Sequence, residues 1–330
     1  MYSYGFSILP TLMRMSMPSS LELLILIPLA DALVAQLRDN PALPAVRYAP
    51  KGIDWDNKEL HSVSIVLTNG STGLTRAQMQ AMPQLKLVSA FGAGYENVDL
   101  VAAGELGIAV THAPGANNAT VADHAMALML AVSRGLHLLD TAVKDGGWES
   151  NRAARPTVNG KRLGIVGLGN IGEQIARRAA AFDMEVAYHA RHVREHVPYL
   201  YCATPLELAA RSDYLILACP GGAATRHLVN RYLLQALGPQ AFLINIARGS
   251  VVDTAALIDA LASKRIAGAA LDVVEGEPAI PEAFRTLDNL LLTPHISGRS
   301  PEALQAQLRM FEENLSALQA GDPLQHVVTR

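Results

Sequence analysis

The stretch from Lys161 to Gly172, K-R-L-G-I-V-G-L-G-N-I-G, constrains the fold more than any other part of the 330-residue chain. A short apolar run, Leu163 to Val166, reads as a buried parallel strand. It breaks into Gly167, Gly169 and Gly172, and a helical pattern of Ile171, Ile175, Ala176 and Ala179 follows at once. Strand, glycine turn and helix in that order suit a dinucleotide pyrophosphate. The first glycine makes the tight turn, the second lets backbone approach phosphate, and the third lets helix pack on strand. The unpaired N–H groups and positive dipole end of the new helix then face the anion, so Asn170 and Ile171 join the three glycines as candidate contacts. Three glycines alone would be a plain tight turn; the strand before and the helix after favour binding.

The pattern continues on both sides. Beyond the turn, strands are expected near Met184 to His189, Asp213 to Cys219, Ala241 to Ile246, Ala267 to Val273 and Leu290 to Thr293. Helices near Pro205 to Ala210, Arg231 to Leu237 and Thr254 to Ala262 separate the later ones, which describes a doubly wound α/β domain. Before the turn, strands at Leu23 to Ile27, Ser64 to Leu67 and Leu85 to Ala90 accompany a helix at Ala30 to Leu37, and Pro41, Pro44 and Pro50 mark loops. Glycine-rich loops, Thr68 to Gly73 and Phe91 to Gly94, follow the second and third of these strands. As a pair at the carboxyl ends of parallel strands, they suggest a cradle of backbone N–H groups for a carboxylate. One long helix is expected from Asn118 to Leu139, capped by Asn118 or Thr120, and a last one from Ser300, with Pro301 at its first position, to Leu318. That last helix is expected to cross back onto the first domain.

Length favours two domains. Half of the residues are hydrophobic and 17% charged, enough for a large core and too apolar for a disordered chain. A net charge of −3 without basic blocks argues against a nucleic-acid partner, and no run is long enough to span a bilayer. Cys202 and Cys219 lie in apolar segments and read as buried thiols in a reducing cytoplasm; no metal site is expected. Leu21 to Ala30 could pass for a signal peptide, but Glu22 interrupts it and Pro28 breaks it, so a first strand is the better reading. Residues 1–20 read as a disordered extension, or as an artefact of start-codon choice with Met17 as the true start.

Three polar stretches carry candidate chemistry at strand ends: Asn245 to Gly249, Gly276-Glu277-Pro278, and Thr293 to Gly298. Arg248, beside a glycine, offers a planar fork for a carboxylate and a donor for a carbonyl oxygen. His295 is a natural proton donor and acceptor at neutral pH. A glutamate bonded to that ring, Glu277, would fix its tautomer and favour imidazolium. Taken singly these would be a surface arginine, a satisfied histidine and a loop glutamate. The strand tip Tyr188 to Arg194 lacks the acid that holds an NAD ribose, while Arg191 and Arg194, supported by His192, could pair with a 2′-phosphate. NADP(H) is therefore expected over NAD(H). Trp148, on the loop Lys144 to Trp148, reads as an interface residue.

The chain resembles the D-isomer-specific 2-hydroxyacid dehydrogenase family from about Leu21 onward. The resemblance rests on the G-L-G-N-I-G turn, N-I-A-R-G-S-V-V-D around Arg248, A-L-D-V-V-E-G-E-P through Asp272 and Glu277, and L-T-P-H-I-S-G ending at Gly298. It implies that Arg248 binds the substrate carboxylate and carbonyl, that His295 and Glu277 form the acid–base pair, and that Asp272 holds the nicotinamide carboxamide. Further cofactor contacts are expected at Cys219, Pro220, Thr225, Ile246, Ala247, Ser297 and Gly298. Substrate contacts are expected at Asn69, Gly70, Ser71 and Gly94.

The same likeness implies a Rossmann-type cofactor domain, 115–298, and a flavodoxin-like substrate domain, 21–114 with 299–330, with the active site in the cleft between them. It implies a homodimer joined through the cofactor domains and the long helix, with Trp148 matching a tryptophan that reaches the active site of the partner subunit. The loops T-N-G-S-T-G and G-A-G-Y-E-N-V-D look most like the glyoxylate/hydroxypyruvate and 2-ketogluconate reductase branch, which reduces a 2-keto acid to the D-hydroxy acid. Arg299 departs from the small residue common after the histidine motif. It could meet a substrate's distal groups or simply cover the helix start. Two alternatives remain: an NAD-linked D-2-hydroxyacid, phosphoglycerate or phosphite dehydrogenase, and a dinucleotide-sensing scaffold like the corepressors that share this fold.

Overall fold

A computed structural model describes residues 21–328. The expected disordered extension, 1–20, lies outside the described residues. The chain divides into two compact units, one taking the N-terminal part up to Ala113 together with Leu308 onward, the other Pro114–Gln307.

The first unit is a parallel five-stranded sheet. Its elements are β1 (Glu22–Ile25), α1 (Asp31–Arg38), β2 (Ala45–Tyr48), β3 (Ile65–Thr68), α2 (Arg76–Gln80), β4 (Leu87–Ala90), α3 (Leu100–Glu105) and β5 (Ala109–His112). Strand order is β2-β1-β3-β4-β5, the flavodoxin-like order. The strands β1, β3 and β4 are buried along their full length, as expected where both faces of a parallel sheet are covered. Pro41, Pro44 and Pro50 do not make that whole stretch a loop, because they flank β2 without entering it. An edge strand there pairs on one side only, and the Arg47 guanidinium fastens it to Glu22 of the neighbouring strand and to Glu59.

The second unit contains α4 (Asn118–Arg134), α5 (Leu136–Lys144), β6 (Arg162–Val166), α6 (Asn170–Ala180), β7 (Glu185–His189), β8 (Leu200–Tyr201), α7 (Pro205–Ala210), β9 (Tyr214–Leu217), α8 (Arg231–Leu237), β10 (Phe242–Asn245), α9 (Thr254–Ala262), β11 (Gly268–Leu271) and β12 (Leu290–Leu292). Its seven parallel strands run β12-β11-β10-β9-β6-β7-β8. The order reverses between β6 and β9, and in doubly wound sheets a ligand binds beyond the carboxyl ends at that reversal. The glycine turn lies there, directly after β6. Both sheets together give the Rossmann-type and flavodoxin-like α/β architecture that the sequence implies.

The long helix expected from Asn118 to Leu139 is two helices. Gly135 takes φ +65°, its N–H closes α4 on the carbonyl of Val132, and α5 leaves at 58°. Only glycine adopts that left-handed backbone without strain from a Cβ. Neither expected cap is used. Asn117 stands at the cap position without a side-chain bond, and Thr120 Oγ1 instead meets Ser300 Oγ at 3.0 Å. The inner stripe of α4 (Val121, Ala125, Leu128, Met129 and Val132) is buried against α6, β10 and β11, whereas α5 has no buried residue. Fully burying each large side chain on such a stripe is worth about 1.5–3 kcal/mol, so the core is organised around α4 and not α5.

The last helix, α10 (Pro301–Ala320), starts as its sequence dictates: Ser300 Oγ accepts from Ala303 N at 3.1 Å, with proline at the first helical position. The division between units falls inside α10, after Gln307, so its first turns belong with the middle of the chain. No single helix among the described residues is long and apolar enough to cross a membrane.

Candidate active site

The glycine turn is built for an anion. Gly167 takes φ +96°, and a Cβ there would lie 2.8 Å from the backbone of Cys219 on the neighbouring strand end. A Cβ on Gly172 would overlap the carbonyl of Gly167, so this glycine lets α6 close onto the turn. Gly169 has nothing within 4 Å of an added Cβ. Two glycines are therefore required by packing, and the third borders open space at the start of an 11-residue helix whose N-cap, Gly169, contributes no side-chain bond. Asn170, Ile171 and Gly172 form the first turn of that helix, where backbone N–H groups lack intrahelical partners. The donor set fits a dinucleotide pyrophosphate.

At the next strand end Cys219 is buried, and burial pushes its thiol up to about 11, which makes it an inert wall and not a nucleophile. Pro220 follows, and its carbonyl accepts from Thr225 Oγ1 at 2.8 Å, closing the loop. At the tip of β7, Arg191, His192 and Arg194 are all exposed. The Arg194 backbone is pinned there, its N–H donating to the Tyr188 hydroxyl at 2.8 Å.

Arg248 follows β10 on a braced backbone. The buried Asn245 accepts from Ala247 N at 3.0 Å and donates to the Arg248 carbonyl at 3.0 Å. Ile246 and Ala247 are buried between them. Arg248 Nη1 donates to the Ala247 carbonyl at 2.6 Å, and a Cβ on Gly221 would come within 2.7 Å of Arg248 Cγ, so the stem is confined.

The histidine stands where the sequence predicts it. His295 Nδ1 meets Glu277 Oε1 at 2.5 Å. A carboxylate can only accept, so Nδ1 carries the proton and Nε2 is the ring atom left to gain or lose one. Glu277 Oε2 accepts from Val274 N at 3.2 Å. Burial would raise the Glu277 carboxyl, but its bond and charge interaction with His295 outweigh burial and hold it below the ordinary glutamate range.

His295 has φ +53°, uncommon for a residue with a side chain, and Asp272 explains how it is held. The buried Asp272 carboxylate accepts from Thr293 Oγ1 at 2.6 Å, Ile296 N at 2.9 Å and Ser297 N at 2.9 Å, while its carbonyl accepts from His295 N at 2.8 Å. Burial alone would raise this carboxyl; the bonds from Thr293, Ser297 and Ile296 prevail and hold it low. The Ser297 hydroxyl adds a fourth bond, so the roughly four lone-pair sites of this carboxylate are engaged by the loop that carries His295.

Three residues at this site had gone unremarked in the sequence. His124, on α4, lies with Nε2 3.1 Å from Thr293 Oγ1 and 3.6 Å from Asp272. Since Thr293 donates to Asp272, its oxygen accepts from His124 Nε2–H. Asn117 lies against Gly298, where a Cβ would overlap its amide, and Asn117 Oδ1 is buried with no protein partner. Glu275 is the third. Only Asn117 left a sequence signal, as an asparagine just before a helix; the other two are brought in by tertiary packing.

In the first unit the two glycine loops, after β3 and β4, lie against each other. A Cβ on the buried Gly70 would meet the carbonyl carbon of Gly94 at 2.8 Å, and Asn97 Nδ2 donates to the Ser71 carbonyl at 2.9 Å. Asn69 Oδ1 accepts from Thr72 N at 2.8 Å, so it shapes its own turn. Arg299 is exposed, its N–H donating to the Ile296 carbonyl at 2.9 Å, and Trp148 is 63% exposed.

Residues 126–297 match the family model for the D-isomer specific 2-hydroxyacid dehydrogenase NAD binding domain. The chain is 36% identical over 306 residues to hydroxyphenylpyruvate reductase of Plectranthus scutellarioides, covering 92% of this chain and 98% of that protein. The chain belongs to the D-isomer specific 2-hydroxyacid dehydrogenases. It is thus an NAD(P)-dependent oxidoreductase, and its middle segment is the family's nicotinamide-dinucleotide domain. Among other members of the family, it is 40% identical to 2-ketogluconate reductase of Gluconobacter oxydans over 76% of this chain and 82% of that one. The solved NADPH-dependent glyoxylate/hydroxypyruvate reductase of Sinorhizobium meliloti, in complex with NADP and malonate, superposes with a TM-score of 0.86 at 35% identity, covering 94% of this chain and 97% of that one. The chain therefore groups with the glyoxylate/hydroxypyruvate reductase branch of the dehydrogenases.

Proposed function

We propose that this dehydrogenase reduces a small 2-keto acid, of the glyoxylate, hydroxypyruvate or 2-ketogluconate class, to the D-2-hydroxy acid, with NADP(H) preferred over NAD(H). The observation that carries the reading is the 2.5 Å bond between His295 Nδ1 and Glu277, two loops away from a braced Arg248. That bond leaves Nε2 as the proton donor to the carbonyl oxygen during reduction and as the acceptor in the reverse reaction. Arg248 holds the substrate carboxylate and polarises the carbonyl. A bound nicotinamide supplies or removes the hydride. Gly167, Gly169, Asn170, Ile171 and Gly172 take the pyrophosphate; Cys219, Pro220, Thr225, Ile246, Ala247, Ser297 and Gly298 shape the rest of that site; and Asp272 serves the carboxamide. Asn69, Gly70, Ser71 and Gly94 serve as substrate-binding groups, and Arg299 serves a distal polar group of larger substrates.

The NADP(H) preference rests on the exposed Arg191, His192 and Arg194 at the β7 tip, where a 2′-phosphate finds cations and Glu195 is the nearest acid in the chain. The test is a panel of 2-keto acids run with NADPH and with NADH, read as loss of reduced-nicotinamide absorbance. Arg191→Asp is expected to lower the NADPH-to-NADH ratio of kcat/KM by about 10- to 100-fold, as for the loss of one charge-assisted phosphate contact. An unchanged ratio rejects the cofactor assignment. No turnover on any keto acid would favour the scaffold alternative.

We also propose a cytoplasmic homodimer. The helix α5 has no buried residue, and Leu136, Leu138, Val143 and Trp148 are exposed along it and just beyond. A second copy would cover them, with Trp148 serving the partner's site. Leu136→Glu is expected to shift sedimentation from dimer to monomer; a wild-type monomer refutes the assembly. Cell fractionation tests the compartment.

A further inference from the structure

A second histidine–carboxylate contact lies beside the first. Glu275 stands two positions before Glu277 in the loop after β11. Its carboxylate accepts from His227 Nε2 at 3.0 and 3.1 Å, from Arg226 Nη2 at 2.9 Å and from Thr254 Oγ1 at 3.5 Å. Those partners sit on two other segments. Arg226 and His227 belong to the loop after β9, which continues from the Pro220–Thr225 turn. Thr254 opens α9, at the end of the loop that starts with Arg248.

Backbone bonds tie the same segments together. His227 N donates to the Ser250 carbonyl at 2.8 Å, Val229 N to Val251 at 3.0 Å, and Asp253 N to Val229 at 2.9 Å. His227 is held at φ +52° while it does so. The Arg248 turn also rests directly on the Glu275 backbone, because a Cβ on Gly249 would overlap Val274 and the Glu275 nitrogen. Immediately beyond, Glu277 N donates to the Val274 carbonyl at 3.2 Å and Val274 N donates back to Glu277 Oε2 at 3.2 Å. One carboxylate thus stands at the junction of the arginine loop and the loop that bears the histidine's partner.

The magnitudes point to position and away from bulk stability. The Arg226 side chain is 59% exposed and that of His227 37%, and exposed ion pairs contribute only about 0–1 kcal/mol. By contrast, a displacement of about 1 Å at a reacting centre can cost on the order of 100-fold in rate. We propose that Glu275 is a positioning residue for the reaction, fastening the Arg248 loop to the Glu277 turn so that guanidinium and imidazole keep a fixed spacing. The inference rests on the roles given above to Arg248, Glu277 and His295.

The experiment uses the full-length protein with Glu275→Ala, and with Glu275→Gln, which keeps an oxygen acceptor for His227 and Thr254. Three quantities are read: KM and kcat for the best keto acid of the panel, the NADPH dissociation constant by fluorescence, and the low-field NMR signal of the His295 Nδ1 proton, assigned by its loss in His295→Ala. In Glu275→Ala, kcat/KM is expected to fall about 10- to 100-fold with KM raised. NADPH affinity is expected to stay within about twofold, and the Nδ1 proton signal to shift or broaden; Glu275→Gln should recover part of each effect. An unchanged KM and Nδ1 signal in Glu275→Ala overturns the proposal. So does an activity loss that merely follows the folded fraction, with KM unaltered. If Glu275→Ala does not fold, Glu275→Gln decides by the same readouts. Failure of the parent reading would show in the wild type, as no turnover on any keto acid, and the Nδ1 signal would still decide whether Glu275 positions His295.

Discussion

His295→Ala is expected to lower keto-acid reduction by about 10²- to 10⁴-fold, the range that a positioned general acid supplies. The dissociation constant for the dinucleotide should stay within about twofold, a change of about 0.4 kcal/mol. The two effects separate because the turn proposed to hold the pyrophosphate, Gly167 to Gly172, sits after β6, whereas His295 sits after β12 on a loop anchored by Asp272. Asp272 bonds to Ile296 N, Ser297 N and Thr293 Oγ1, none of which is the imidazole, so the loop should keep its shape when the ring is removed. Wild-type turnover in this variant would mean another group handles the proton.

Glu277→Gln sharpens the test through pH. The Glu277 carboxyl is held below the ordinary range by His295 in spite of burial, so it remains ionised through neutral pH. Its ionised oxygen is the acceptor that holds His295 Nδ1–H, and that acceptor is lost only when acid protonates the carboxylate. Replacing it with a neutral amide should therefore lower kcat/KM for reduction at neutral pH and remove the acid-side fall that protonation of Glu277 causes. A profile that does not move would leave Glu277 a steric support only.

Much of this was legible in the chain because the signals are local. G-L-G-N-I-G needs only a strand, a turn and a helix in succession, and the strand-end motifs around Arg248, Glu277 and His295 fall where parallel sheets expose their loops. Element boundaries held to within a few residues wherever both faces of a strand are buried, as for β9 and β10. The failures have physical causes of the same kind. Gly135 falls inside the single helix expected from Asn118 to Leu139; a lone glycine costs only about 1 kcal/mol in a helix, and nothing local says that this one turns left-handed. The edge strand β2 is half-exposed, so its apolar signal is weak, and its ladder with β1 and the Arg47–Glu22 contact across it are long-range pairings. His124 and Glu275 escaped notice because their partners lie 169 and 48 positions away in the chain. Spacing along a sequence carries no information about such contacts until the sheet is assembled.

Arg248→Lys is expected to raise KM for the keto acid by about 10- to 100-fold and to lower kcat as well, although the charge is kept. A guanidinium presents two parallel N–H donors to a carboxylate, whereas an ammonium is a point charge on a flexible stem. Losing one charge-assisted bond of the pair costs about 1.5–3 kcal/mol, which is the stated factor. The backbone should not move, because the Arg248 carbonyl is bonded to Asn245 Nδ2 and the following glycine rests on Val274 and Glu275. The stem has little room to compensate, with Gly221 closing on Arg248 Cγ and Nη1 committed to the Ala247 carbonyl. A lysine cannot make that last bond and reach the same substrate atoms at once, so its ammonium must choose. Steady-state kinetics on the preferred keto acid, with dinucleotide affinity as the control, checks this. An unchanged KM would show that the fork is not what holds the carboxylate, and the substrate would then have to be anchored by other groups.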